Sequence, residues 1–303
     1  MKKICAIIVN PTSCNGMGLT SWKKIQDDLP FSDTRVFISP FFFNLDLLES
    51  QLEDWLRQGI RRFLAVGGDG TCNTLLNGLL HASANLQIPS TDIIYGAIGT
   101  GSSNDFHKPF LQKTKGFPCR MNFESPLLTD LCWWAPKDGP RRYFLVNASL
   151  GITAKADGYF NTHLRALKKI SPTLSILWAV LRTSFLYQNH SCTLSLYGTR
   201  QVTNLGIVRN PHFLGDFSYP SGETPNSGHF GIYLCDNLSK WESLCTWKAF
   251  LRGRFFGTKL YQCRGTTFSI QSKTPFWVAS DGEVSQQTHI TFGIDRGRIQ
   301  LCT

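Results

Sequence analysis

The chain has no long apolar run, no paired cysteines, no basic tail and few acidic residues. Each absence excludes something. The greasiest segment, residues 174–187, is interrupted by Arg182 and falls short of the roughly 20 residues a transmembrane helix needs. Lys2-Lys3 precede an apolar stretch at 4–9, but it is too short for a signal peptide and ends in Asn10-Pro11, so a first β-strand fits better. Ten cysteines are scattered singly from Cys5 to Cys302, with no C-x-x-C and no paired histidine spacing. That argues against structural zinc and for reduced thiols in a cytoplasmic protein. No Lys/Arg run, RNP, helix-turn-helix or zinc-finger spacing is present, so nucleic acid is not an expected partner. Internal repeats and low-complexity segments are absent too.

What remains describes a globular chain. Its 303 residues suit two domains, with 42% hydrophobic and 17% charged residues. Lys and Arg number 31 against 21 Asp and Glu, a net charge of +10. That excess favours anionic partners: nucleotides or an acidic membrane surface. The cations lie in small groups, namely Arg61-Arg62, Arg141-Arg142, Arg165 with Lys168-Lys169, and Arg252 with Arg254.

The first 126 residues alternate strand-like and helix-like stretches. Strands are expected at 4–9, 35–39, 63–66 and 93–98, and helices at 18–29, 45–58 and 72–81. In the second helix Leu48, Leu52, Trp55 and Leu56 face inward. This order implies a parallel sheet covered on both faces, with ligands beyond the carboxyl ends of its strands. Two glycine-rich turns fall there. Gly67-Gly68-Asp69-Gly70-Thr71 follows the third strand, and Gly99-Thr100-Gly101-Ser102-Ser103-Asn104-Asp105-Phe106 follows the fourth. Glycine permits positive φ and close approach of main-chain N–H groups to an anion. Either turn alone reads as an ordinary tight turn; the pair, each with Thr and Asp, points to nucleotide phosphates. Asp69 and Asp105 are candidates to hold Mg²⁺ or its waters, with helix N-capping as the plainer alternative.

Residues 127–303 change character. Strands are expected at 127–134, 142–149, 191–197, 202–209, 231–235, 266–271, 276–279, 289–293 and 298–302, with a helical hairpin at 162–187 and a helix at 238–252. A β-rich, sandwich-like domain is the expectation. Asp281-Gly282-Glu283 lies at a strand end. On extended chain its two carboxylates point to one side, and either can take the proton of an attacking alcohol. Taken alone, Asp-Gly is also a common hairpin turn.

Gly67 to Thr71 resembles the GGDGT signature of the diacylglycerol kinase catalytic-domain family, which includes bacterial lipid kinases and sphingosine-kinase relatives. Asn10-Pro11-Thr12-Ser13 resembles that family's opening NP-x-S turn, Thr100 to Phe106 its GTGNDF motif, and Asp281-Gly282-Glu283 its DGE motif. The four occur in family order across nearly the whole chain. Ser102 and Ser103 are inserted relative to that pattern, and His107-Lys108 replaces a small residue plus arginine. Asn226-Ser227 stands where acidic residues bind a structural Mg²⁺, so a second metal near Thr224, Ser227 and His229 is not expected.

The resemblance implies a two-domain architecture of the lipid-kinase and NAD-kinase type. It implies an ATP-dependent, Mg²⁺-requiring lipid kinase acting on a hydroxyl of a diacylglycerol-like or sphingoid lipid. The nucleotide is expected on Asn10, Pro11, Thr12, Ser13, Gly67, Gly68, Asp69, Gly70, Thr71, Asn73, Thr100, Gly101 and Asn104, with Ser39 as a further contact. Catalysis is expected from Glu283 as first choice of base, with Asp281 and Asp69. An NAD kinase predicts an Asn-Glu pair after the second turn and a TPTGS-type segment, and neither is present. A silent lipid-binding homologue is the other alternative, but Asp69, Asp281 and Glu283 are all retained. The expected partner is a lipid at a membrane surface, met by peripheral association. Self-association into a homodimer is left open.

Overall fold

The computed structural model describes residues 4–38, 45–110, 112–163, 172–220 and 222–303. It divides into two compact units: Met1–Leu131 with Arg296–Thr303, and Cys132–Asp295. The sequence-based division at 126/127 lies slightly early, and it leaves residues 296–303 in the wrong unit. The cause is β17 (Glu283–Leu301), a strand whose end leaves the second unit and pairs in the first. Nothing local in a strand sequence marks which sheet its end joins.

In the first unit, β1 (Cys5–Val9), β2 (Thr34–Ile38), β3 (Arg62–Gly67) and β4 (Ile94–Gly99) form a parallel sheet in the order β2-β1-β3-β4. The register runs Cys5 beside Thr34 and Arg62, and Arg62 beside Ile94. Gln300 and Leu301 of β17 extend the sheet in parallel beside Ile94 and Tyr95. A short antiparallel strand, β6 (Phe117–Arg120), pairs with the other end of β4 and with β5 (Lys113–Thr114). Strands β1, β3 and β4 are apolar almost throughout because helices cover both faces.

The helices are α1 (Ser13–Gly16), α2 (Gly18–Ile25), α3 (Leu45–Arg57) and α4 (Asp69–Asn85). Helix α3 buries Leu48, Leu52, Trp55 and Leu56, as its spacing predicts. Helix α4 starts earlier and ends later than expected. Its sequence is apolar on several sides, because it is packed between sheet and α3 and shows no clear amphipathic edge.

The second unit is one antiparallel sheet. Its strands are the end of β7 (Leu127–Pro136), β8 (Arg142–Phe144), β9 (Asn147–Gly151), β10 (His190–Leu194), β11 (Gly198–Val208), β14 (Phe230–Asp236), β15 (Leu260–Gly265), β16 (Thr267–Ser280) and most of β17, with a small hairpin of β12 (His212–Phe213) and β13 (Phe217–Ser218). Strands β9 and β10 both bridge β11 to β16. Period-2 alternation sorts the faces. Phe230, Ile232 and Leu234 join a core shared by all the long strands, whereas Tyr233 faces a second, aromatic core. That second core is closed by α5 (Ile152–His163), α6 (Pro172–Leu186) and α7 (Lys240–Phe250), the last begun by a Ser239–Glu242 capping box.

Three details differ from the sequence reading. The strand expected at 142–149 is broken between Phe144 and Asn147. The pairs expected at 266–271 with 276–279, and at 289–293 with 298–302, are single long strands. The segment 174–187 is neither wholly buried nor wholly exposed. Ile176, Ala179 and Val180 enter the aromatic core, while Leu174, Leu177, Trp178, Leu181 and Phe185 are exposed.

Candidate active site

In the order β2-β1-β3-β4, the chain leaves β1 toward one side for β2 and returns to the other for β3. The topological switch point therefore lies between β1 and β3. The turns that follow these two strands are Asn10 to Ser13 and Gly67 to Thr71. They are joined directly. The Asn10 main-chain N–H donates to Val66 O at 3.0 Å, and its side-chain amide donates to Thr71 Oγ1 at 3.0 Å. Asn10 Oδ1 accepts from the N–H and hydroxyl of Thr12 at 3.0 and 2.8 Å.

The third turn is tied in as well. Ser13 Oγ and Thr100 Oγ1 lie 2.9 Å apart, and the Thr100 N–H donates to Gly67 O at 2.8 Å. Asn104, at φ +50°, folds back on Gly101, accepting from its N–H at 2.9 Å and donating to its carbonyl at 3.0 Å. Fourteen residues were expected to meet a nucleotide. Thirteen of them belong to these turns and the start of α4; Ser39 lies outside the described residues. Asn73 is buried on α4, where Asn77 donates to its side-chain oxygen at 3.1 Å.

The glycines act through close approach here, not positive φ. A Cβ on Gly101 would sit 2.5 Å from Gly68 Cα, and one on Gly67 would sit 2.2 Å from Thr71 Oγ1. These turns can pack backbone against backbone only because those residues lack a side chain. Gly68 also occupies the N-cap of α4 without any side-chain cap, so a 17-residue helix begins at the switch point with the end whose dipole favours an anion.

Asp69 has a definite job. Its two oxygens accept from the main-chain N–H groups of Asp105 and Phe106 at 3.0 and 2.9 Å. It caps the short helical turn Asp105–His107 that follows the third glycine turn. Asp105 is buried and pairs with Lys108 Nζ at 2.7 Å. Of the two carboxylates, Asp69 displays the capping alternative, on the turn Asp105–His107 and not on its own helix, while Asp105 is engaged by Lys108. Among the described residues, no group of three or more His, Cys, Asp and Glu side chains is placed to hold a metal. Lys108 escaped notice as part of this network; its signal was the i, i+3 spacing from Asp105. Its neighbour His107 is 3% exposed. Burial, aided by the Arg120 charge, lowers its pKa to about 4.

In the second unit, the two late carboxylates part company. Ser280 pairs with Glu283 across a two-residue hairpin, and Asp281 and Gly282 have φ of +46° and +89°. This is a type I′ turn. The expectation that both carboxylates share one side of an extended strand is therefore incorrect. Asp281 is buried and accepts from the N–H groups of Leu145, Val146 and Asn147 at 2.5, 3.0 and 3.3 Å. Those bonds break the strand expected at 142–149, since the captured N–H groups are withdrawn from the sheet. Glu283 is exposed, with Arg142 Nη1 at 3.6 Å from its Oε2. Of the two, Glu283 is the exposed carboxylate, and Asp281 holds the turn together.

The segment with Thr224, Ser227 and His229 bonds to itself. The Ser227 N–H donates to Thr224 O at 3.1 Å, and the Ser227 hydroxyl donates to His229 O at 3.1 Å. The nearby carboxylate, Glu223, accepts from Arg264 Nε at 2.8 Å.

Residues 5–121 match the diacylglycerol kinase catalytic domain. A Bacillus subtilis (strain 168) protein, "Putative lipid kinase YtlR", is 24% identical over 308 residues, covering 93% of either chain. Two solved structures of a "putative diacylglycerol kinase" from Bacillus anthracis str. Sterne align with TM-scores of 0.71 and 0.70. Each has 17% identity and covers 99% of this chain and 97% of the other. At that identity the structures speak for the fold. The glycine turns and the Asp69 cap all lie inside the matched segment, so residues 5–121 are similar to the diacylglycerol kinase catalytic domain in sequence and in the placing of these turns.

Proposed function

We propose that the protein is an ATP-dependent lipid kinase that phosphorylates a hydroxyl of a diacylglycerol-like or sphingoid lipid. The observation that carries this reading is the mutual bonding of the turns after β1, β3 and β4 around the uncapped start of α4. Nucleotide phosphates would lie on that helix's first-turn N–H groups, where the helix end favours negative charge. The hydroxyls of Thr12, Ser13 and Thr100 would meet the remaining phosphate oxygens. Mg²⁺ would arrive with ATP and neutralise charge on the transferring phosphoryl group. Asp69 and Asp105 fit it through water, because their oxygens already hold main-chain N–H groups and Lys108.

Phosphoryl transfer to an alcohol asks little covalent chemistry of the protein beyond positioning and a carboxylate to accept the hydroxyl proton. Glu283 is that base in this reading, and Asp281 a positioning residue. Incubation with labelled ATP and a panel of lipid acceptors in mixed micelles tests it. Labelled phospholipid from one acceptor class is the expected outcome. ATP binding by calorimetry without transfer to any acceptor would instead mark a silent lipid-binding homologue.

A further inference from the structure

Helix α6 is apolar on two faces. Ile176, Ala179, Val180, Thr183 and Ser184 are buried. The opposite face carries Leu174, Leu177, Trp178, Leu181 and Phe185, all exposed, with Trp178 at 53%. These five follow i, i+3, i+4, i+7, i+11 spacing and form a single stripe about 17 Å long at 1.5 Å per residue. A helix apolar all round is ordinarily buried. This one lies half out of the protein.

The stripe's own helix carries charge of one sign, while the adjoining α5 carries Lys155 and Asp157. Helix α6 has no acidic residue, and Arg182 is its only charged one. Arg182 lies over the Tyr159 ring of α5 at 4.4 Å, and Lys155 of α5 lies 5.8 Å from the centre of the Tyr187 ring. Cations packed on tyrosines along an apolar Trp/Leu/Phe stripe have the composition of a bilayer interface, where chains of Arg and Lys reach toward phosphates. At the C-terminal end of α6 a cavity of about 210 Å³ is lined by Lys155, Tyr187, Gln188, His190 and Trp277, a polar recess next to exposed Phe185 and Leu186. At 15 residues, α6 is about 22 Å long, shorter than the roughly 30 Å apolar core of a bilayer. It can lie in the interface but not span it.

We infer that the outward face of α6 docks the protein onto an anionic phospholipid bilayer, with Trp178 and Phe185 entering the headgroup–acyl boundary and Arg182 and Lys155 meeting lipid phosphates. This deepens the lipid-kinase reading by naming the surface that brings the enzyme to its substrate, and it is tested without turnover. The full chain is sedimented with phosphatidylcholine vesicles, with and without phosphatidylglycerol, in the absence of nucleotide.

Binding to the anionic vesicles is expected, and a Trp178→Ala/Phe185→Ala variant should bind about tenfold less or weaker still. A separate Arg182→Gln variant should lose about fivefold on anionic vesicles, little on neutral ones, and converge with wild type at high salt. Leu177→Ser is a second probe of the stripe should the double variant be unstable. Unchanged vesicle binding in the double variant overturns the inference. So does a wild-type dimer in sedimentation that the same variant dissolves, which would assign the stripe to a second copy. A short-chain, water-soluble acceptor separates the two readings. If it is phosphorylated while vesicle binding fails, docking is wrong and the kinase stands; if the reverse holds, the kinase is wrong and docking stands.

Discussion

Exchanging Asp281 for Asn and Glu283 for Gln separates a structural carboxylate from a reacting one. Asn tolerates the left-handed conformation that Asp281 adopts at φ +46°, so the turn itself is not strained by the change. Its carbonyl oxygen can keep the bonds from Val146 and Asn147. Its amide nitrogen then faces the Leu145 N–H, which Asp281 now accepts at 2.5 Å. One charge-assisted bond is lost, a buried donor is left without an acceptor, and the surviving bonds lose their ionic partner. Each of the first two losses is about 1.5–3 kcal/mol taken singly, and because they overlap the net is about 3 kcal/mol. For a unit the size of residues 132–295 that is a fall in melting temperature of roughly 6–12 °C. Glu283→Gln removes an exposed carboxylate and should change stability by no more than about 0.5 kcal/mol. In the mechanism proposed it also removes the base, so kcat should drop about 10²–10⁴-fold while ATP affinity stays near wild type. Thermal melts followed by near-UV dichroism, with labelled-ATP transfer to lipid, read both quantities. An Asp281→Asn protein that melts with wild type but has lost transfer would reverse the roles. Full transfer by Glu283→Gln would remove the base from this turn altogether.

Three further outcomes follow from the first unit. Gly101→Ala sets a Cβ 2.5 Å from Gly68 Cα, a backbone atom that cannot swing aside, so the turns must part and ATP affinity by calorimetry should fall about tenfold or more; an unaltered Kd would show that turn packing and nucleotide binding are unrelated. Asp69→Asn leaves one of two main-chain N–H groups without its acceptor, and hydrogen exchange at Asp105 and Phe106 should quicken by about tenfold, equivalent to roughly 1.4 kcal/mol of local opening. Between pH ~6.5 and about 4, the unfolded chain protonates His107 and the folded one does not, so stability should decline as pH falls through that window, by about 3 kcal/mol in all. A His107→Leu protein should lack this component, and superimposable urea midpoints against pH for the two proteins would contradict the burial argument.

Most of the first unit was legible because its signals are local. An apolar run ending in Gly-Gly or Gly-Thr-Gly is a buried parallel strand and its exit turn, whatever follows it. The positions of Asn10, Gly67 and Thr100 at three adjacent strand ends then come from topology alone. What stayed hidden depends on partners far away in the chain. The interruption of the strand at Leu145 and Val146 has no local cause; it is imposed by a carboxylate more than 130 residues later. The end of β17 joins the first unit through Leu301 beside Tyr95, and an alternating strand reads the same in either unit.

The motifs themselves carried a different ambiguity. Glycine, aspartate and asparagine at strand ends suit a bound phosphate. They equally suit turns that must bind one another. Here Asp69 holds Asp105 and Phe106, Asn104 holds Gly101, and Asn10 holds Thr71, so much of the polar chemistry that looked reserved for a ligand is spent on assembling the loops. The two uses are compatible. A phosphate site works by fixed N–H groups that need no reorganisation when charge arrives, and fixing them requires other polar groups to be already engaged. The same division recurs in the second unit, where Asp281 is consumed by three main-chain donors, and Glu283, two residues on, stands exposed where the returning strand begins. In both places, the residue with every oxygen occupied makes the frame, and the groups left open at its edge are the ones available for chemistry.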